Sequence, residues 1–225
     1  MGTLFKVIVA VCLVGILAVV LVVALDDSPS SQSATSPSTP TPAQPASPTS
    51  TPTPTATPTT TQPAASGLRA GTHLVGTDMA PGRYRADGGV TYFEILSGLG
   101  GELGDIIANE FVTNSKAPVV VDIEASDVAF KFSGSGSWVR IDSSYNPGLK
   151  TSFGDGWWVV GADIAPGVYR TQENVDYWAR LSSFRHTLEG IVANEAMMPG
   201  GAVVEIKSTD VGFQTSGGAT WTKIG

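Results

Sequence analysis

Residues able to perform acid–base or nucleophilic chemistry are few in this sequence of 225 residues. The usual base of a hydrolase is histidine, and the chain has only His73 and His186, in no arrangement typical of a triad or a zinc site. The single cysteine, Cys12, lies inside an apolar run. We therefore predict no catalytic residue, no metal site and no cofactor. A glycosidase needs only two carboxylates, so a carbohydrate-active enzyme stays open as an alternative.

Aromatic side chains beside a guanidinium are the best candidates for a binding site. Trp157 and Trp158 are adjacent, and Trp178 lies two residues before Arg180. An exposed tryptophan can stack on a sugar ring while an arginine donates hydrogen bonds to its hydroxyls. Neighbours on a strand point to opposite faces, so we expect one of Trp157 and Trp158 to be exposed. Core packing and contact between domains are the alternatives for all four residues.

These candidates belong to a sequence that repeats itself. Residues 71–110 match residues 156–195 at an offset of 85, and residues 120–141 match 203–224 at an offset of 83. The shared motif is Gly-x-Asp-x-Ala-Pro-Gly-x-Tyr-Arg, at 76–85 and again at 161–170. Two copies of a domain of roughly 70 residues are therefore expected, each large enough for a core.

Period-two alternation predicts that both copies consist of strands. Val119, Val121 and Ile123 alternate with a second set, Val120, Asp122 and Glu124, which predicts one buried and one wet face. Six or seven short strands with Gly and Pro between them predict an all-β fold, with two tandem antiparallel β-sandwich-like or small-barrel repeats. The expected core residues are equivalent in the two copies: Tyr84, Ile123, Phe130 and Trp138 in the first, and Tyr169, Ile206, Phe213 and Trp221 in the second.

The shared turn residues have structural explanations. The pairs Pro81-Gly82 and Pro166-Gly167 are predicted to form type II turns. Asp78 and Asp163 are predicted to bond nearby backbone amides. A calcium site is the alternative, and it requires that the fold gather its candidate ligands Asp78, Asn109, Glu110 and Asp127.

The N-terminal residues predict where in the cell the protein is located. Residues 7–25 carry no charge and are long enough for a transmembrane helix, preceded by Lys6 and followed by Asp26 and Asp27. We predict a cytoplasmic tail (1–6), a signal anchor (7–25), a disordered Thr/Ser/Pro-rich linker (26–66), and two extracytoplasmic β repeats (67–150 and 151–225). A cleaved signal peptide is the alternative for the apolar segment.

Net charge limits the partners. The chain carries −7 at pH 7 without a basic cluster, so nucleic acid is not expected as a partner. Tandem small domains on a stalk favour weak contacts that add up. The partner we expect is therefore a cell-wall glycan or another envelope protein, in addition to the membrane.

The motif set resembles a domain of exported or membrane-anchored actinobacterial proteins. The resemblance rests on residues 160–170, on Tyr177-Trp178, on residues 191–195 and on Trp221. It implies an envelope location and no particular activity. The function predicted from the sequence is a non-catalytic binding or scaffolding module at the cell envelope. A secreted carbohydrate-active enzyme or accessory carbohydrate-binding domain is the alternative.

Overall fold

The computed structural model describes residues 67–225. The predicted cytoplasmic tail, transmembrane helix and linker, residues 1–66, lie outside the described residues. Within 67–225 no helix has the length and hydropathy needed to cross a membrane. The described part is all-β, with two short 3-10 turns at Leu103–Asp105 and Leu188–Gly190.

The first repeat contains two antiparallel sheets. Its strands are β1 (Gly71–Leu74), β2 (Gly82–Ala86), β3 (Val90–Leu96), β4 (Ile106–Phe111), β5 (Val119–Ile123), β6 (Ala129–Gly134) and β7 (Val139–Ile141). One sheet has the order β1-β6-β3-β4 and the other the order β5-β2-β7. Strand β4 is an edge of the first sheet and β5 is an edge of the second. Each of these strands therefore has no strand partner on one side of its backbone.

The second repeat has the same plan with one added strand. Its strands are β8 (Ser152–Phe153), β9 (Gly156–Val159), β10 (Gly167–Thr171), β11 (Val175–Leu181), β12 (Ile191–Met198), β13 (Ala202–Ile206), β14 (Gly212–Ser216) and β15 (Trp221–Lys223). The sheets have the orders β9-β14-β11-β12 and β13-β10-β15-β8. Each sheet is built from one repeat alone, so the prediction of two tandem antiparallel β repeats is confirmed.

Each repeat buries the large side chains that the alternation predicted. Trp138 and Trp221 are completely buried, and Phe130 and Phe213 lie at the same place in their respective cores. The two tryptophan rings meet these phenylalanine rings nearly edge-on, at centroid distances of 5.2 and 5.5 Å, a favourable arrangement for aromatic pairs. The prediction that both tryptophans are structural is therefore confirmed.

The shared motif forms a strand entry and no type II turn. Gly82 and Gly167 have φ values of 143° and 147°, far from the value of about +80° of a type II glycine. Each is already the first residue of a strand and pairs with the neighbouring edge strand. The type II prediction is thus wrong, because strand pairing extends the glycine backbone.

Tyrosine and aspartate fix this strand entry by hydrogen bonds to the backbone. The hydroxyls of Tyr84 and Tyr169 donate to the carbonyls of Ala80 and Ala165, at 2.7 and 2.8 Å. Asp78 accepts from the amide of Leu74 at 2.8 Å, and Asp163 makes the equivalent bond. The prediction that these aspartates bond nearby backbone amides is confirmed.

One residue of a predicted wet face is dry in the first repeat only. On β5, Val120 was expected to face water, yet it is completely buried. Its equivalent on β13, Val203, is 57% exposed. The difference arises because the second repeat covers β5, whereas no described residue covers β13 in the same way.

The burial of Phe213 predicts a large loss of stability on truncation. Replacing this buried ring by Ala should cost about 3–5 kcal/mol of unfolding free energy, through lost transfer energy and a cavity. The matched control is Phe111→Ala, since Phe111 is 62% exposed and its truncation should change little. Denaturant unfolding of both variants checks this, and equal losses would contradict the assigned core.

Candidate functional site

A polar network lies where the second repeat meets the first. The loop of residues 183–187, between β11 and β12, inserts against the free edge of β5. Phe184 is 1% exposed and lies under the guanidinium of Arg83, 4.8 Å from the ring centroid. The Asp122 amide donates to the Phe184 carbonyl, and the Phe184 amide donates to Asp122 Oδ2, both at 2.9 Å. Backbone and side chain of Asp122 therefore both recognise Phe184.

Arg185 joins the two repeats by a buried ion pair. Its guanidinium donates through both terminal nitrogens to the carboxylate of Asp127, which is completely buried. It also donates to the carbonyl of Asp122 at 2.9 Å. The hydrogen bonds from Arg185 to Asp127 raise the pKa of the arginine above its ordinary value.

His186 closes the same edge. Its side chain is 3% exposed, and its Nε2 is 2.8 Å from the carbonyl of Val120, so Nε2 carries a proton and donates it. The ring meets Phe93 edge-on at 4.7 Å and lies 5.4 Å from the ring of Trp157. This histidine is an element of the junction between the repeats.

A third contact uses residues of the shared motif. Arg85 of the first repeat donates to Asp163 Oδ2 of the second at 2.8 Å. The carboxylate of Asp163, completely buried, also accepts from the Tyr145 hydroxyl and from the Val159 amide, each at 2.8 Å. Burial raises the pKa of Tyr145, as does its hydrogen bond to Asp163. The equivalent residues Arg170 and Asp78 are both exposed.

The predicted tryptophan site is not one exposed surface. Trp157 and Trp158 are 6% and 7% exposed, so the expectation that one of them faces solvent is wrong. Trp157 packs against the first repeat, and its amide donates to the carbonyl of Pro118 at 2.9 Å. Trp158 points the opposite way, into the core of the second repeat. The inference that the two neighbours point to opposite faces was therefore correct, and both faces are covered.

Trp178 and Arg180 share one face of β11 but are engaged within the protein. The half-buried Trp178 ring stacks on Phe213 at 6.1 Å, and its Nε1 donates to Met198 Sδ. Arg180 donates two hydrogen bonds to Asp210, at 2.7 and 2.9 Å. The four predicted residues are thus divided between a core, an ion pair and the junction of the repeats.

The sequence contained a signal for the residues that this prediction missed. The loop reads Ser-Phe-Arg-His-Thr at 183–187 but Gly-Leu-Gly-Gly-Glu at 98–102. Large side chains in one copy opposite glycines in the other mark a contact that only one copy makes. The acceptor residues Asp122 and Asp127 carried no such signal, since acidic residues occupy the equivalent positions of the second copy.

The outer face of the β1-β6-β3-β4 sheet is open to solvent in the first repeat. This open face consists of Thr72, Leu74, Tyr92, Glu94, Asn109, Phe111 and Lys131. The equivalent face of the second repeat carries Trp157, Val159, Ala179 and Leu181 and packs on the first repeat. One sheet surface is therefore a docking surface in one copy and free in the other.

A compact polar group stands at the centre of the open face. Glu94 is 7% exposed and accepts hydrogen bonds from the Tyr92 hydroxyl at 2.9 Å and from Lys131 Nζ at 2.7 Å. Burial alone would raise the pKa of Glu94, but these two hydrogen bonds outweigh it and lower the pKa. Phe111, whose ring centroid is 4.6 Å from that of Tyr92, adds an exposed apolar surface.

Two open clefts each contain an arginine that already forms an ion pair. Two clefts of about 600 and 620 Å³ lie beside β2 and β7 and share Ile141, Asp142 and Tyr145. Arg85 in the first and Arg83 in the second already form ion pairs with aspartates. Among residues 67–225, no group of three or more His, Cys, Asp or Glu side chains could hold a metal ion.

The sequence matches the model of one protein family twice. Residues 63–139 and 150–222 each match the Rv1352-like extracellular domain. The chain belongs to this family. Its C-terminal part is therefore an extracytoplasmic module of two tandem Rv1352-like domains. No curated protein and no solved structure matches the chain.

We expect the buried Arg185–Asp127 pair to stabilise the contact between the two Rv1352-like domains. Replacing Arg185 by Met leaves the buried Asp127 carboxylate without its cation, which should cost about 3–5 kcal/mol. The Asp122 amide, which donates to Phe184, should then exchange faster with solvent. Hydrogen exchange and denaturant unfolding measure the two effects, with Lys116→Met at an exposed position as the control. Unchanged protection of the Asp122 amide would contradict the assignment.

The Arg180–Asp210 pair predicts a pH dependence in the second domain. Burial would raise the pKa of Asp210, but hydrogen bonds from Arg180 and from the Lys207 amide outweigh it, so the folded pKa is below 3.8. Because the folded pKa is depressed, the stabilisation is present above the unfolded pKa and is lost as pH falls through the folded value. The difference in unfolding free energy between the parent and Asp210→Asn should shrink from about pH 5 to about pH 2. Chemical denaturation across that range measures it, and a difference independent of pH would contradict the shift.

Proposed function

We propose that this protein is a non-catalytic binding or scaffolding module of the cell envelope, tethered to the membrane by its N-terminal segment. The tether is supported by the uncharged run of residues 7–25, with Lys6 before it and Asp26 and Asp27 after it. The family of the two domains supports the extracytoplasmic side for the rest of the chain. The Thr/Ser/Pro-rich residues 26–66 are the proposed spacer between the membrane and the domains.

The observation that carries the binding role is the open face of the first repeat. The equivalent face of the second repeat binds a β domain, namely the first repeat, through a continuous apolar contact. In the first repeat this surface presents Phe111, 62% exposed, next to Tyr92 and the Glu94–Lys131 ion pair. Aromatic residues surrounded by polar groups are typical centres of protein interfaces. The partner class we propose is therefore an envelope protein.

A non-catalytic role is supported by the positions of the two histidines. His186 is held between Val120, Phe93 and Trp157 inside the junction. His73 bonds to the carbonyl of Arg69 at 2.7 Å and stacks on Phe132 at 5.6 Å. A general base must reach a nucleophile or a substrate proton, whereas these two rings are engaged with backbone carbonyls and aromatic residues.

The test measures binding through the open face. Full-length protein with Tyr92→Ala and Phe111→Ala should lose retention by envelope proteins by roughly 30-fold, since truncating interface hot spots costs about 2 kcal/mol or more. The matched control is Leu188→Ala, a side chain of the second repeat that is 61% exposed. Retention is measured separately on a protein fraction of the envelope and on protein-free cell wall.

Three outcomes distinguish protein binding, carbohydrate binding and the absence of binding through the open face. The proposal is supported if the double variant, and not the Leu188→Ala control, loses retention on the protein fraction. Retention on protein-free wall that depends on Tyr92 and Phe111 would favour the carbohydrate-binding alternative. Equal retention of parent, double variant and control on both materials would overturn a binding role for the open face.

A further inference from the structure

The junction of the two repeats supplies hydrogen-bond partners to the free side of one edge strand. Strand β5 pairs with β2 on one side only. On its other side, the carbonyls of Pro118 and Val120 and both backbone groups of Asp122 are bonded by the second repeat. Unpaired backbone groups on an edge strand are a template for association. The second repeat therefore acts on β5 as an additional strand would.

The equivalent edge strand of the second repeat is exposed. Strand β13 pairs with β10 and has no strand on its other side within residues 67–225. Val203 and Glu205, at the positions of Val120 and Asp122, both face solvent, and Val203 is 57% exposed. Ile224, 51% exposed, lies just beyond β15 of the same sheet.

The partner of such an edge exists in the first repeat. In the junction, the outer face of the second repeat and its loop 183–187 cover β5. The equivalent surface of the first repeat is the open face and the loop 98–102, whose Leu99 stands at the position of Phe184 and is 61% exposed. The open face with loop 98–102 of the first repeat and the β13 edge of the second repeat are thus both free.

Complementary charges mark the same two surfaces. Arg85 of the first repeat pairs with Asp163 of the second inside the chain. Their equivalents are Arg170, on β10 beside the free edge, and Asp78, in the turn that leads from β1 of the open face. Both are exposed. Within the chain, the second repeat packs on the first. If the first repeat of one copy packed in the same way on the second repeat of another copy, Asp78 of one molecule would lie at Arg170 of the other.

We propose that copies of this protein associate head to tail, the open face and loop 98–102 of one copy covering the β13 edge of the next. This inference rests on the proposed binding role of the open face and names its partner as a second copy of the chain. Such a contact uses different surfaces on its two sides, so it can continue from copy to copy.

The contact between copies is weaker than the contact within the chain. Gly100 and Gly101 stand at the positions of Arg185 and His186, and Thr72 at the position of Trp157. Moreover, Asp210 is already paired with Arg180, whereas its equivalent Asp127 depends on Arg185. Tethering of many copies to one membrane raises their effective concentration and compensates for a modest affinity.

The experiment traps the contact between two differently tagged full-length copies reconstituted in the same vesicles. One copy carries Leu99→Cys and the other Glu205→Cys, because the equivalent residues Phe184 and Asp122 are joined by a backbone hydrogen bond of 2.9 Å. Mild oxidation should give a disulfide-linked pair carrying both tags. Parent copies, which contain only Cys12, measure the background. Leu149→Cys, a 56% exposed position outside both surfaces, replaces Leu99→Cys in the matched control.

Charge reversal then tests the register. Arg170→Glu in the copy with Glu205→Cys should lower the yield of the mixed pair several-fold, and Asp78→Arg in the other copy should restore it. A mixed yield equal to that of the Leu149 control, or a yield that the second reversal fails to restore, would overturn head-to-tail association. If the mixed pair is absent while Tyr92 and Phe111 still govern retention by envelope proteins, this inference fails and the proposed function stands.

Discussion

The arrangement of the two repeats depends on the free edge of β5. A sheet edge presents backbone donors and acceptors that need partners once they are removed from water. The second repeat removes this edge from water and supplies those partners through the Trp157 amide, the Phe184 carbonyl, the Arg185 guanidinium and the His186 ring. The same contact buries Val120 and brings Arg185 to the buried carboxylate of Asp127. Loss of any one of these groups would leave a polar atom buried without its partner, which is why the contact is specific as well as apolar.

The two copies have kept one fold while their surfaces have acquired different roles. Two of the residues that they share act locally in both copies: the tyrosine hydroxyl donates to the carbonyl before the motif proline, and the motif aspartate accepts from the amide four residues before it. The residues that differ define the surfaces. Trp157 and Ala179 make the second sheet face apolar enough to dock, whereas Thr72 and Glu94 keep the first sheet face polar. Asp210 shows the same divergence, because its own domain supplies Arg180, whereas Asp127 is paired by the neighbouring domain.

The different surface residues of the two repeats indicate that surfaces, rather than pockets, are the functional parts of the molecule. In the two clefts, Arg85 and Arg83 already have carboxylate partners, and both histidines are bound to backbone carbonyls. The open face of the first repeat and the β13 edge of the second repeat are the free counterparts of the two surfaces that the junction uses. For tandem extracellular domains, weak contacts on such surfaces gain strength when several of them form together.

The sequence by itself determined the duplication, the all-β class and the core residues, because side-chain alternation and turn residues are local properties of the chain. It also indicated that Trp157 and Trp158 face opposite ways, since neighbours on a strand must do so. Only the tertiary structure decided what each of them faces. Trp157 is buried by the first repeat and Trp158 by its own core, so neither is exposed. Val120 and Val203 have the same local pattern, yet one is buried and the other is exposed. Their difference comes from a contact between residues more than 60 positions apart in the chain, and no local pattern records which edge of a sheet a distant loop will cover.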